Sequence, residues 1–336
     1  MTETTSIGLA ELEALIAAAL VASNTSEDNA RSVARALTQA EIDGQTGHGL
    51  SRVPTYAAQA RAGKVDGFAR PTVRQTRAST LMIDVAHGFV FPAVDLAIDR
   101  LPLLAGAAGI AAAGLTRSHH FGVVGRHVER LAEKELVALA FTNTPKAIAP
   151  WGGKGPVFGT NPVAFACPQR DAPPIVVDLA LSQVARGKIL TAAQRGEPVP
   201  ADWAVDEHGK PTTDVRAALK GALAPIGGAK GAALALMVEV LAVALTGAHF
   251  GFEASSFFDA EGPAPGVGQL LIAVDPGGLG GRDRFLDRVS TLARAIDGVG
   301  ARLPGSRRIA RRAKVHDDGL SVDASLLAEV RRIAAS

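Results

Sequence analysis

The sequence predicts a mixed α/β (α+β) protein in which a helical lobe precedes a domain of strands and helices. Three observations carry that reading. At 336 residues the chain exceeds what one compact core usually holds, so two or three packed lobes are expected. Apolar residues make up 47% and aromatic ones only 4%, so the core is built mainly from Ala, Val, Leu and Ile, which suits helices laid on sheets. The apolar pattern also changes near residue 79, from helical periodicity to short strand-like runs separated by helices.

In the first lobe, Leu9, Leu12, Leu15, Ile16 and Leu20 recur at helical spacing over 8–22, and Ser23, Asn24 and Thr25 break the pattern. Ser26 then caps a second helix whose acidic first turn, Glu27 and Asp28, complements the helix dipole. Residues 44–49 form a loop, and a short helix follows over about 52–62, closed by Gly63. Further on, strands are expected over 80–85, 110–115, 136–142, 163–166, 175–179 and 269–274. Helices are expected over 93–104, 127–134, 184–194, 230–245 and 284–296. A last helix over about 323–334 is expected to return to the N-terminal lobe. That lobe spans 1–75, completed by about 284–336, with a central mixed sheet region over 76–115 and 250–283.

Composition excludes several classes of function. The 35 basic and 33 acidic residues are interspersed and leave a formal charge of +2, so there is no broad surface for nucleic acid. Cys167 is the only cysteine, which rules out an internal disulfide framework and fits a reducing, cytoplasmic compartment. The start, MTETTSIGLAELEAL, lacks a basic flank before an apolar stretch and does not read as a signal peptide. Residues 231–250 reach membrane-span length but include Glu239, and their Ala-rich make-up suits a buried helix better. No metal is expected: the eight histidines are scattered and one cysteine cannot build a thiolate site.

The G-x-G-x-x-G fingerprint of the Rossmann fold is absent, since Gly106, Gly109 and Gly114 have the wrong spacing. Three other stretches combine backbone-freeing glycines with reactive side chains. In Thr46–Tyr56, glycines flank His48, a titratable group near neutral pH, and Arg52 offers a forked cation to a carboxylate with Tyr56 one helical turn on. Pro54 belongs in the first turn of a helix, which leaves His48 in the loop before it. The plainer alternative is a loop histidine and a surface arginine. Ser118–Gly125 follows a strand and opens a helix, where backbone N–H groups can hold a phosphate or carboxamide; His119 and His120 are otherwise cap or packing residues. The loop 150–162 crowds Trp151, Thr160 and Asn161 among Gly and Pro, against the alternative of a rigid connector. Asp178 ends a strand as either a cap or a catalytic partner, and Lys230 opens a helix after glycines.

Taken in order, the segments GHGLSRVPTY, SHHFGVVG, APWGGKGPVFGTNPVAF, VVDLALSQVARGKI and PIGGAKGAALALMVEVLAVALTG resemble the malate/L-lactate dehydrogenase-like oxidoreductase family over about residues 8–320. Within it they resemble the Δ1-pyrroline-2-carboxylate/Δ1-piperideine-2-carboxylate reductase branch. The resemblance implies a non-Rossmann fold with a mostly antiparallel central sheet, a helical lobe formed by the two termini, and a cofactor-binding domain over 116–249. It also implies a homodimer and hydride transfer with NADPH, NADH being the alternative cofactor. Carried across, His48 is the proton donor, Arg52 the carboxylate anchor, and Thr160 lines the substrate and nicotinamide site. Cofactor contacts fall on His120, Phe121, Gly122, Val123, Val124, Thr144, Asp178, Leu179, Ala180, Arg186, Gly187, Ala229 and Lys230. The loop 304–308 adds Arg307 and Arg308.

Two positions depart from the family pattern. Gly47 stands where a serine usually precedes the histidine, and Lys188 stands where the reductases carry an acidic residue, so a Ser-His-acid relay cannot form. Asp178 or a water is then expected to fix the His48 tautomer. The expected activity is NADPH-dependent reduction of a small cyclic 2-imino acid. The alternatives are a malate- or lactate-type 2-hydroxy-acid dehydrogenase, or a silent cofactor-binding paralogue. Arg186, Lys188, Arg307 and Arg308 are the cations expected near a 2′-phosphate.

Overall fold

The computed structural model describes residues 3–336, apart from the side chains of Asp317 and Asp318. The N-terminal part runs β1 (Thr4–Ile7), α1 (Leu9–Val21), α2 (Glu27–Ile42) and α3 (Val53–Arg61). Then come β2 (Thr72–Arg77), β3 (Thr80–Asp84), α4 (Phe91–Ala108), β4 (Ile110–Ser118), α5 (Val124–Ala132) and β5 (Val137–Thr142). The middle holds β6 (Val163–Gln169), β7 (Ala172–Leu179), α6 (Arg186–Arg195), β8 (Ala204–Val205), α7 (Val215–Lys220), β9 (Ala222–Leu223) and α8 (Ala229–Val238). Last are β10 (Val267–Val274), α9 (Arg282–Gly298), α10 (Ser306–Asp318), β11 (Leu320–Asp323) and α11 (Ala324–Ala334).

Seven strands form one sheet in the order β2-β3-β4-β10-β5-β6-β7. Only β3 and β4, joined through α4, run parallel; every other neighbour is antiparallel. Alternation along β5 and β10 divides the core between the two faces. Ala138, Ala140, Leu271 and Ala273 join the cluster built with α1, α2, α4 and α5, while Phe141 and Leu270 join a second cluster with α6 and α8. The small alanines let helices sit close to the sheet. Both termini close one lobe: β1 pairs antiparallel with β11, and α11 packs on α1. Helix α9 lies instead against β6, without a fully buried residue.

The expected 230–245 helix does not continue as a regular α-helix. After Val238 it widens into a π-helical turn, Glu239–Ala244, beside Gly268 of β10, where a Cβ would come within 1.9 Å of the Ala242 carbonyl. That turn points Glu239 inward. The 304–308 loop is likewise shorter than expected, because Ser306 already begins α10. Apolar periodicity gave no signal there, since arginines dominate α10 and buried ion pairs hold it. Among the described residues, no helix is long and apolar enough to cross a membrane.

Register places the chemistry along one rim of the sheet. Ser118 faces Val267, Gln269 faces Thr142, Phe141 faces Val163, and Val163 faces Leu179. The segments that leave or enter the sheet there are 119–123, 143–162 and 180–185. They carry most of the residues singled out in the sequence.

Candidate active site

The His48 turn is fixed from below by a buried acid. Glu41, near the end of α2, accepts the Leu50 N–H at 2.6 Å, and burial pushes its carboxyl pKa up. Gly49 is required, because a Cβ would lie 2.3 Å from the Glu41 carboxylate oxygen. Two short 3-10 turns, Thr46–His48 and Leu50–Arg52, precede α3, which takes Pro54 in its first turn as expected. Arg52 donates from Nε to the Gly47 carbonyl at 2.8 Å, and its guanidinium lies 5.0 Å from the centre of the Phe258 ring. Among the described residues, no carboxylate pairs with it.

Against this turn stands the end of β4. The His48 ring stacks on His120 with centroids 5.1 Å apart and planes 10° from parallel, and the Tyr56 hydroxyl meets His120 Nδ1 at 2.6 Å. Burial, with Arg52 and the neighbouring histidines, holds the His120 pKa far below its usual value, so the ring is neutral with one N–H. Tyr56 is fully buried and, among the described residues, its hydroxyl meets no acceptor but His120 Nδ1, so the phenol donates and His120 carries its proton on Nε2. Phe257 packs on both His119 and His120. Burial and the Arg52 charge lower the His48 pKa to about 4, so its imidazole is neutral at pH 7. A neutral imidazole beside a cation without an acidic partner is equipped to take a proton from a bound acid's hydroxyl group.

Farther along the rim, Thr144 and Thr160 form a joint: the Thr144 hydroxyl accepts the Thr160 N–H at 2.9 Å, and the two hydroxyls are 3.3 Å apart. The Thr160 carbonyl accepts the Leu181 N–H at 2.8 Å, which brings Leu179 and Ala180 alongside. Behind them, the Glu239 carboxylate binds the Asn161 side chain at 3.0 Å and the Gly159 and Gly251 N–H groups at 3.4 and 3.3 Å. Burial raises its pKa. Exposed Ala229 and Lys230 open α8, while exposed Arg186 and Gly187 open α6.

Several placements correct the sequence reading. Asp178 does not reach His48; its carboxylate accepts the Gly125 N–H at 2.8 Å and so occupies the helix opening that follows Phe121, Gly122, Val123 and Val124. Lys188 lies 5.8 Å from the Trp203 ring centre, and Arg308 is buried with its guanidinium 3.6–3.8 Å from Glu129 and Asp43. Arg186 and Arg307 remain exposed. Polar ligand space is indicated by two buried atoms without partners, His48 Nδ1 and Ser182 Oγ, the latter just past β7. These residues fit a polar dinucleotide laid along the rim.

Sequence reasoning gave no role to Glu41, Lys64 and the Phe257–Phe258 pair, and took Glu239 only as a mark against a membrane span. Two of them carried a signal. Glu239 is a lone acid inside an apolar run, and Phe257–Phe258 is an aromatic pair in a chain with few aromatics.

A mostly antiparallel sheet whose rim sets an arginine and an imidazole at one end and turn-forming segments beyond is not the parallel sheet of a Rossmann fold. Comparison with known proteins agrees. The malate/L-lactate dehydrogenase family matches residues 7–331, and this chain belongs to it, as an NAD(P)-dependent oxidoreductase. It is 49% identical over 331 residues to a (2R)-3-sulfolactate dehydrogenase (NADP(+)) of Chromohalobacter salexigens, covering 98% of each chain. A Δ1-pyrroline-2-carboxylate/Δ1-piperideine-2-carboxylate reductase of Pseudomonas putida is 41% identical, over 93% of this chain and 92% of that one. The crystal structure of Δ1-piperideine-2-carboxylate reductase from Pseudomonas syringae pv. tomato superposes with a TM-score of 0.92 at 38% identity, covering 98% and 99% of the two chains.

Proposed function

We propose that this protein is an NADP-dependent 2-hydroxy-acid dehydrogenase for a short acid with a second anionic group, of the 3-sulfolactate class. The observation that carries the reading is the pair formed by neutral His48 and Arg52, which among the described residues meets no carboxylate. The 49% identity to a sulfolactate dehydrogenase supports the substrate class. Arg52 receives the substrate carboxylate, and its fork fits two carboxylate oxygens. His48 takes the hydroxyl proton as the C2–H bond breaks. A bound nicotinamide supplies the hydride acceptor, or the donor in reverse. His120, proton on Nε2, donates toward the cleft. Thr160 and Thr144, farther along the rim, take the nicotinamide end, with Leu179 and Ala180 brought alongside by the Leu181–Thr160 bond. Arg186, Gly187, Ala229, Lys230 and Arg307 provide backbone and cationic contacts for the phosphates. Arg308 acts indirectly, beside Asp178 and Gly125.

A second reading, reduction of a cyclic 2-imino acid, is favoured by the reductases at 38–41% identity. It keeps Arg52 in the same role and has His48 manage the ring nitrogen's proton. Gly47 tells against it, because the space beside His48 where a relay serine would stand is open. Following NADP(H) absorbance with (2R)-3-sulfolactate, malate, lactate and the two cyclic imino acids separates the readings. Sulfolactate is expected to have the highest kcat/KM; turnover confined to the cyclic imines overturns the proposal.

A second copy of the chain is the proposed partner. Leu234, Leu236, Met237, Val240 and Leu245 on the outer side of α8 and its π turn are 38–64% exposed, an apolar strip that homodimer formation would cover. Light scattering at micromolar concentration tests this, with twice the chain mass expected.

A further inference from the structure

Among the described residues, Arg52 makes one side-chain hydrogen bond and lies on one aromatic ring, and together they define which of its edges is free. Its Nε donates to the Gly47 carbonyl at 2.8 Å, and one face of its guanidinium lies on the Phe258 ring at 5.0 Å. The terminal Nη1/Nη2 edge is left without a protein acceptor. A ring beneath a guanidinium holds it flat without using any of its donors.

Phe258 itself is 59% exposed, so a loop residue of this kind bears on Arg52 only if its backbone is held. It is held on both sides. Phe257, the preceding residue, packs its ring on the buried His119 and His120, with ring centres 5.5 and 5.3 Å away. On the other side, the buried Lys64 ammonium donates to the Asp259 carbonyl at 3.2 Å, the Asp259 carboxylate at 3.0 Å and the Glu261 carbonyl at 2.6 Å. Gln59 adds a bond to the Asp259 carbonyl at 2.8 Å. A buried ammonium wholly satisfied by one loop, about 195 residues away in sequence, fixes that loop against α3 and the turn that follows it.

We propose that Phe258 is a positioning residue for substrate binding: it holds the Arg52 fork flat and aimed at the substrate's acid group, and Lys64 keeps Phe258 in place. The inference rests on Arg52 being the carboxylate anchor. It assigns to the 255–261 loop a part in selecting substrates that carry a carboxylate beside the reacting carbon. Because the ring contributes no hydrogen bond, its effect falls on binding and not on the chemical step.

Steady-state kinetics of Phe258→Leu, Phe258→Tyr, Arg52→Ala and the Phe258→Leu/Arg52→Ala double variant test this on the full-length enzyme. Phe258→Leu is expected to raise KM for the acid about two- to fivefold, the range of a partly exposed cation–π contact, with kcat and the NADP Kd unchanged. Phe258→Tyr keeps the aromatic face and is expected to retain the wild-type KM. In the Arg52→Ala background, Phe258→Leu should add nothing. An unchanged KM in Phe258→Leu while Arg52→Ala raises it overturns the role of Phe258 alone, as does an equal increase in both backgrounds. An unchanged KM in Arg52→Ala overturns the anchor assignment and this inference with it.

Discussion

Two partly buried arginines, Arg52 and Arg312, are surrounded in opposite ways. Arg312 of α10 donates to both carboxylate oxygens of Asp43 at 2.5 and 2.9 Å and to both of Glu129 at 2.8 and 2.7 Å. Burial alone would lower its pKa, but the bonds from Asp43 and Glu129 more than reverse this and hold it above the usual arginine value. Arg52 has a carbonyl, a ring and no acid, so burial lowers its pKa. The Arg312 cluster is complete without a ligand and ties α10 to α2 and α5. The Arg52 site is incomplete, and a carboxylate from outside would complete it. Charge therefore marks function here only together with what already satisfies it.

The difference leads to predictions of graded size. His48→Ala, on the incomplete side, should lower kcat roughly 100- to 10,000-fold, as loss of a general acid–base group does, with little change in thermal midpoint. A residual rate within tenfold of wild type would remove His48 from proton transfer. On the complete side, Arg312→Met removes the four bonds to Asp43 and Glu129 and leaves these buried acids with only the looser Arg308, and Arg126 on Glu129. Unfolding free energy should fall by about 3–5 kcal/mol in denaturant melts, with KM for the acid unchanged. Arg52→Ala should behave conversely, raising KM roughly 10- to 100-fold while stability holds. Matching effects of the two arginine variants on both quantities would erase the distinction.

The smallest effect concerns His127, which lies on α5 two residues from Glu129 and donates from Nε2 to the Phe121 carbonyl at 2.8 Å. Burial lowers its pKa to about 4, the carbonyl bond offsetting only part of that. Below its unfolded pKa of about 6.5 the unfolded chain takes up a proton that the folded chain refuses, so this group removes stability as pH falls from 6.5 toward 4. Replacing it with Gln should flatten the pH dependence of the unfolding free energy between pH 7 and 5 relative to wild type, by up to about 1.4 kcal/mol per pH unit. Parallel curves for the two proteins would show that His127 is not titrating as described.

Most of the frame was legible because it rests on local signals. Helices α1 and α2 follow their apolar spacing and the Ser26 cap, and the long strands follow short apolar runs bounded by turns. Strands β1 and β2 escaped notice since their outward residues are polar and exposed, and α10 did so since ion pairs hold it in place of an apolar stripe. At the site, the glycines around His48 and the Arg52–Tyr56 spacing pointed to a turn that the structure sets against His120. What spacing could not show is long-range partnership. Asp178 caps α5 across 53 residues, Glu239 reaches Asn161 across 78, and Lys64 reaches Asp259 across 195. Such pairs depend on which strand ends share a rim, and the register of the sheet alone decides that.

The most direct test is a crystal structure of the enzyme with NADP+ and oxamate, an unreactive 2-oxo-acid analogue. The carboxylate should bind the terminal edge of Arg52 at about 2.8 Å, with the neighbouring oxygen facing His48, while Arg312 keeps Asp43 and Glu129 as partners. An acid group bound elsewhere, with Arg52 still resting only on Gly47 and Phe258, would contradict the account.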